Sequence, residues 1–307
     1  MQREKQMKKL MFAAAMMSAF TVFAADVAKS VNPAEENPAE VEAEETPVFW
    51  GFANCGIYSG YQLYGSLLNN EPTLQGYVEG NFNLSVRDVD LGFLGVGVWS
   101  NSDLTRRRNE VAGIGDVFNE WDFNVHWGRT FWFDDDREWG LTYRTSVVWY
   151  YYPGKHYQRV QPACDTTWDW NHYFELVNPY VTPYVHVVRE YRFDANLFQF
   201  GLKKSFDVGD SLTLTPFVEM VARDSHYNWN FPTRFGAIDT CGGLATLKVE
   251  LDANYRITDD FGLFAKIAYC SIIDHHLRNN CDDILASDEY GENKDFVWGG
   301  VGVFVNF

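Results

Sequence analysis

Hydrophobic and polar residues alternate with a period of two over long stretches of this chain. Leu74, Gly76, Val78, Gly80, Phe82, Leu84 and Val86 alternate with Gln75, Tyr77, Glu79, Asn81, Asn83 and Ser85. Trp121, Phe123, Val125 and Trp127 alternate with Asp122, Asn124 and His126. Ala245, Leu247, Val249, Leu251 and Ala253 alternate with Thr246, Lys248, Glu250, Asp252 and Asn254. A helix cannot hold such rows on one face, whereas a strand sends successive side chains to opposite faces. The closing stretch Trp298–Phe307 repeats the pattern, with Val301, Val303, Val305 and Phe307 facing away from Gly300, Gly302, Phe304 and Asn306. Such a strand, ending on an aromatic residue, resembles the closing strand of a bacterial outer-membrane barrel; an ordinary sandwich strand is the alternative.

Looser alternation elsewhere extends the prediction to about twelve strands. They fall near 48–58, 73–86, 91–100, 118–132, 139–152, 172–180, 183–193, 196–206, 212–223, 243–256, 261–273 and 296–307. Arg87–Asp90, Asp134–Glu138, Asp207–Ser211 and Thr258–Asp260 read as short polar turns. The segments after Tyr58, Ser100, Pro153, Asp224 and Ile273 read as long loops. Short turns at one end and long loops at the other suit an up-and-down barrel with an even strand count. The connection near Asp194 is too short for that scheme, and the strand around Pro179 is poorly patterned. The predicted class is all-β: a transmembrane antiparallel up-and-down β-barrel whose apolar rows face lipid.

The amino-terminal region agrees with export. Met7-Lys8-Lys9 precedes an apolar run from Leu10 to Phe23, with small residues at Ala24 and Ala25. This is the layout of a secretory signal, cut after Ala24. It is too short for a good membrane helix, and no later stretch is long enough to span one. Residues 1–24 are therefore expected as signal peptide, 25–47 as leader and 48–307 as barrel. The leader, from Asp26 to Pro47, carries seven acidic residues against Lys29, and its near-repeat of Asn-Pro-Ala-Glu predicts a disordered spacer.

Aromatic residues make up 17% of the chain, yet mean hydropathy is slightly negative. Alternating lipid-facing and lumen-facing rows, with aromatic girdles at both interfaces, account for both. The formal charge is −17. Removing the signal segment, with Arg3, Lys5, Lys8 and Lys9 against Glu4, leaves the rest more acidic still. That argues against nucleic acid as a partner, since its binding needs a basic surface. The five cysteines are spread along an exported chain and include no C-x-x-C pair. Cys55 and Cys270 fall in strands; of the loop cysteines Cys164, Cys241 and Cys281, a Cys241–Cys281 bridge is the first choice.

A family resemblance enters at Ser59, where the chain reads S-G-Y-Q-L-Y-G-S-L-L-N-N-E-P-T-L-Q-G. Ser59, Tyr61, Leu63, Gly65, Pro72, Gln75 and Gly76 resemble the amino-terminal signature of the TorF-type porin family of bacterial outer-membrane β-barrels. Gly95–Asn101 and Tyr150–Gly154 agree with it in order and spacing, so the resemblance covers roughly the first half of the barrel. It implies an outer-membrane channel of unspecified substrate and supplies no binding residues. Members carry arginine just before the glycine of the opening motif, where this chain has Tyr64, which leaves any shared selectivity open.

Three local motifs invite other readings. Gly209-Asp210-Ser211-Leu212 spells the nucleophile block of a lipid and ester hydrolase class, but reads here as a hairpin turn. Asp274-His275-His276 lacks the spacing those enzymes need, and no His-x-Ser pair supports a membrane phospholipase. The acidic loop from Asp274 to Asp295 has metal-binding residue types without a fixed spacing. Arg106-Arg107-Arg108 suits a contact with lipopolysaccharide phosphate. No enzyme activity, cofactor or metal is expected. The expected partners are membrane lipid, lipopolysaccharide and the barrel-assembly machinery, the last through the strand ending at Phe307; oligomeric state is left open.

The facing predicts that Glu79, Asp122, His126, Arg144, Lys203, Glu219, Lys248, Glu250, Asp252 and Lys266 project inward and line a pore. Acidic and basic walls opposed across it would favour small polar or zwitterionic solutes, with a mild cation preference. The alternative is a non-conducting structural or surface-interaction barrel, plugged by bulky inward residues such as Phe217, Phe264, Trp132 and Tyr184.

Overall fold

The computed structural model describes residues 48–64, 66–69, 72–86, 89–104, 119–151, 166–191, 194–225, 242–275 and 295–307. The expected signal and leader, Arg106–Arg108, the three loop cysteines and most of the acidic loop before Asp295 lie outside them. The strands, in chain order, are β1 (Phe49–Tyr58), β2 (Tyr61–Leu63), β3 (Ser66–Asn69), β4 (Thr73–Val86) and β5 (Val89–Asp103). Then come β6 (Asn119–Trp132), β7 (Gly140–Tyr151), β8 (Thr166–Val177), β9 (Thr182–Glu190) and β10 (Ala195–Lys203). The last are β11 (Phe206–Val208), β12 (Leu212–Arg223), β13 (Gly243–Arg256), β14 (Phe261–Ile272) and β15 (Asp295–Asn306).

Each wall strand pairs antiparallel with the next, and β1 pairs with β15 to close the ring. β11 prolongs the wall beyond β10, so the closed barrel has twelve strands. At the seam Gly51 N donates to Phe307 O at 2.6 Å and Phe307 N to Gly51 O at 3.0 Å. Closure leaves no unpaired edge, the condition for a sheet to sit in hydrocarbon.

The two faces sort as the alternation predicts. Val78, Phe123, Ile267 and Val301 are exposed on the outside, Val301 at 61%. Asn81, His126, Glu219 and Glu250 are buried inside. The exposed aromatics gather at the two rims. Trp168 stacks on Tyr191 at 3.9 Å at the end bearing the long loops. Phe49–Phe82 at 5.0 Å and Trp139–Tyr180 at 6.1 Å mark the short-turn end. These are interfacial girdles, where an amphipathic ring meets both lipid and water.

Many inward rings lie flat against glycines on the neighbouring strand. A Cβ on Gly300 would meet the Tyr58 ring at 2.2 Å, and one on Gly201 the Tyr184 ring at 2.1 Å. Tyr58–Gly300 and Tyr184–Gly201 are direct cross-strand partners. The notch lets each ring hug the wall instead of reaching across the lumen.

Four expectations need correction. β8 begins at Thr166 and ends at Val177, ahead of Pro179. Asn178 Oδ1 accepts from the amides of Tyr180 and Val181 at 3.0 and 3.1 Å, turning the chain before the predicted end. In β13, Val221 pairs with Thr246 and Ala222 with Leu244, so Ala245 is a bulge residue. It is fully buried while Leu244 takes the outward place, because an extra residue flips the alternation. Trp132 ends β6 and is 40% exposed, no part of a plug. The hairpin β2–β3, inside the first expected loop, was not foreseen. The short connection at Asp194 needs no extra strand: Asp194 takes φ of 55° and pairs with Arg189, completing a tight turn.

Arginine at outward Val249 is expected to cost roughly 2–4 kcal/mol at mid-membrane and impair assembly. Lys248→Arg, beside it and facing inward, should fold. Heat-modifiable gel migration of the two variants checks this.

Candidate functional site

The inward residues form three polar networks around the wall. On β4–β7, Arg144 Nη2 lies 2.8 Å from Glu79 Oε2, which also accepts from the Tyr77 hydroxyl. Asn81 Nδ2 donates to Glu79 at 3.2 Å, and Asn81 and Asn124 each hold the His126 ring at 2.7 Å. A Cβ at Gly95 would stand 2.3 Å from His126 Nε2, so only glycine leaves room for this network.

On β8–β10, Lys203 Nζ sits 2.5 Å from Glu175 and donates to the Tyr173 hydroxyl at 3.3 Å. Tyr184 donates to Glu219 at 2.5 Å and Gln199 to Glu219 at 3.0 Å, linking this wall to β12. There Lys248 bridges Glu219 at 3.5 Å and Glu250 at 3.3 Å. Lys266 then bridges Glu250 and Asp252, each at 3.6 Å. Lys248 also lies 4.5 Å from the Phe217 ring centroid, and Phe217 stacks parallel on Tyr184.

Of the predicted inward residues, the structure thus gathers Glu79, His126, Arg144, Lys203, Glu219, Lys248, Glu250, Asp252 and Lys266 into these networks. Asp122 stands apart, near the long-loop end. The opposed walls of the sequence reading do not form. Glu219 and Lys248 are direct register partners, as are Asp252 and Lys266, so opposite charges meet side by side. The heads are not sealed off: the side chains of Arg144 and Lys203 are each 34% exposed.

The hairpin β2–β3 crosses the lumen from one wall to the far one. Its base is held where Gly60 O accepts from Trp298 Nε1 at 2.8 Å and Thr73 Oγ1 at 3.2 Å. Tyr61 packs on Trp99 and Tyr150. At the tip, Tyr64 takes φ of 50°, and its carbonyl accepts from Arg223 at 2.8 Å and Thr246 at 3.2 Å. Its ring seats against Val188, Ala195, Leu197 and Val221. Tyr64 is thus the residue that docks the tip onto an apolar patch. On the β14–β15 side of the hairpin, Tyr58, Phe264, Ala268, Cys270, Phe296 and Trp298 pack into one buried cluster.

Sequence reasoning missed Glu120, Asn101, Asp169 and Glu190, all buried at the long-loop end. Glu120 shares the parity of Asp122, and Asp169 sits between outward Trp168 and Trp170, so alternation was available as a signal. Ser211 of the hydrolase-like tetrapeptide ends the turn ahead of β12, while His275 follows β14 at the opposite end of the barrel. The two cannot meet in one catalytic site.

An apolar outside, two aromatic girdles and charges kept to the inside decide where such a barrel lives. It is a bacterial outer-membrane β-barrel. No protein-family model matches the chain, and no curated protein is similar to it in sequence. Among solved structures it is similar to the KdgM porin at 6% identity and a TM-score of 0.42, over 84% of this chain and 99% of that one. An outer membrane channel from Pseudomonas putida F1 matches at 9% identity and 0.44, over 89% and 100%. Outer membrane phospholipase A from Escherichia coli matches at 12% and 0.44, over 83% and 92%. Similarity this remote says nothing about the lumen.

Glu250→Gln removes the carboxylate shared by Lys248 and Lys266. Leaving two ammonium groups underpaired is expected to cost on the order of 3 kcal/mol. A lower heat-modifiability midpoint in detergent measures it.

Proposed function

We propose that the protein is a passive channel for small polar solutes and ions, and not an enzyme. The observation that carries this is the lumen wall itself: charged networks in which Arg144, Lys203, Asp252 and Lys266 stay partly exposed, with flanking rings laid flat on glycines. A wet lumen hydrates paired charges, whereas a packed plug would have to desolvate them at a cost of several kcal/mol per ion. The inward residues named from sequence, from Glu79 to Lys266, are the proposed pore lining. Their mixed charges favour small polar or zwitterionic solutes. Membrane lipid and lipopolysaccharide are the proposed partners of the outer face, and the assembly machinery that of the strand ending at Phe307.

A second reading, a non-conducting barrel, is favoured by one feature. The hairpin β2–β3 and the apolar cluster beside it occupy much of the lumen at the long-loop end. On the channel reading this hairpin is the constriction. Planar-bilayer recordings separate the two. The wild-type barrel is expected to conduct, and deletion of residues 61–69 to raise its single-channel conductance. Absence of current from both proteins would favour the plugged barrel.

A further inference from the structure

On β7 and β8 the outer face departs from its apolar pattern, because Tyr143, Thr145 and His172 take outward places. Thr145 and His172 are direct register partners, as are Tyr143 and Phe174. Their parity is that of exposed neighbours, Val147 and Trp149 on β7 and Trp170 and Phe174 on β8. The outer rows of β10 and β15, by contrast, run through Phe198, Phe200 and Leu202, and through Val301, Val303 and Val305. The polar set is not part of a rim. Trp168 and Trp139 mark the girdles at the two ends of this wall. Strands rise about 3.3 Å per residue and cross the membrane at a tilt. The spans from Trp168 to His172 and from Trp139 to Thr145 therefore keep both residues roughly 10 Å or more from either girdle.

Part of this set satisfies itself. Thr145 Oγ1 accepts from Trp170 Nε1 at 2.8 Å and donates to the Asn171 carbonyl at 3.0 Å. Tyr143 and His172 are left with capacity to spare. The Tyr143 hydroxyl and His172 Nδ1 share one hydrogen bond at 2.8 Å, and His172 Nε2 has no partner among the described residues. If the hydroxyl donates, Nε2–H remains as a donor and the phenolic oxygen as an acceptor. With the other tautomer, Nε2 remains as the acceptor and the hydroxyl as the donor. Either way the pair presents one donor and one acceptor side by side toward hydrocarbon. An ionisable side chain in that position is rare and needs a partner. Lipid tails offer neither donor nor acceptor, and headgroup phosphates lie beyond the girdles.

A second copy of this chain supplies both. Copies inserted in the same direction are related by an axis along the membrane normal, and a two-fold contact is self-complementary. Set against itself across such an axis, the His172–Tyr143 pair meets donor with acceptor twice. The surroundings suit a packed contact. Tyr143 stacks on Phe174 at 4.8 Å, its ring lies 5° from parallel with that of His172, and Trp170 lies 4.8 Å from His172. Rings already held by one another lose little freedom on contact, and such aromatics anchor interfaces. We propose that the outer wall of β7 and β8 is a two-fold dimerisation surface, with His172 and Tyr143 hydrogen-bonded to their counterparts in a second copy. The surface stands whether or not the lumen conducts.

Sedimentation equilibrium of the exported chain in density-matched detergent tests this. The wild type should associate to a dimer. Tyr143→Phe/His172→Leu puts residues usual for a lipid-facing row in both places, so heat-modifiable migration should show a folded barrel; His172→Leu alone serves if the double variant does not fold. Loss of the polar pair should raise the dimer dissociation constant about tenfold or more, as expected for two symmetric hydrogen bonds within a membrane. His172→Gln, which keeps a donor and an acceptor, should associate more tightly than His172→Leu. A monomeric wild type overturns the second copy as the occupant. A dimer whose dissociation constant is unchanged in the apolar variant overturns the surface, and equal weakening by Gln and Leu overturns the hydrogen bonds across it.

Discussion

A backbone amide in hydrocarbon has no water to turn to, and leaving it unpaired costs several kcal/mol. Every other feature of this protein follows from meeting that demand with strands. The sheet must close, so β1 must find β15, and Gly51 exchanges hydrogen bonds with Phe307 at the seam. Closure in turn gives every wall residue one of two fates, lipid or lumen, because strand side chains alternate. The outer row is held to apolar residues and rim aromatics, save for the polar set on β7 and β8. The inner row is free to be polar, and there the protein keeps its charge.

Inside, the cross-strand neighbour is the unit of organisation. Opposite charges sit on adjacent strands at matching heights, so they neutralise each other locally instead of setting up a field across the lumen. Rings and glycines are paired by the same register, which turns bulky residues into wall covering. Inside this wall lies the hairpin β2–β3. That hairpin is held at both ends by hydrogen bonds to main-chain carbonyls, Gly60 at its base and Tyr64 at its tip. Backbone anchoring makes its position depend on fold, and the rings of Tyr61 and Tyr64 add side-chain packing near its base and at its tip.

The strands were largely legible because lipid enforces a strict period. β12 and β13 begin and end where alternation predicts. Legibility fails where a local interaction overrides the period. Asn178 caps a turn that cuts β8 short, and an extra alanine at 245 reverses facing at the start of β13. The first half of β8 was passed over although Trp168 and Trp170 alternate with Thr167 and Asp169. Polar residues at a strand's loop end look like loop until the neighbouring strands are known.

The inward charges from Glu79 to Lys266 could be named from sequence alone, because facing is a property of parity within a strand. Which charge meets which could not, since that is set by register between strands far apart in the chain. Glu79 and Arg144 are sixty-five positions apart, and only closure of the sheet brings them together. The same holds for Tyr64 reaching Arg223 and Thr246, and for Asn101 standing opposite Glu120. Thus alternation along the chain determined the barrel, its faces and its girdles, being a local consequence of strand geometry in lipid. The pairing of charges, the hairpin across the lumen and the tyrosine–histidine pair on the outer wall were decided by tertiary structure, because each depends on contacts between residues that sequence leaves distant.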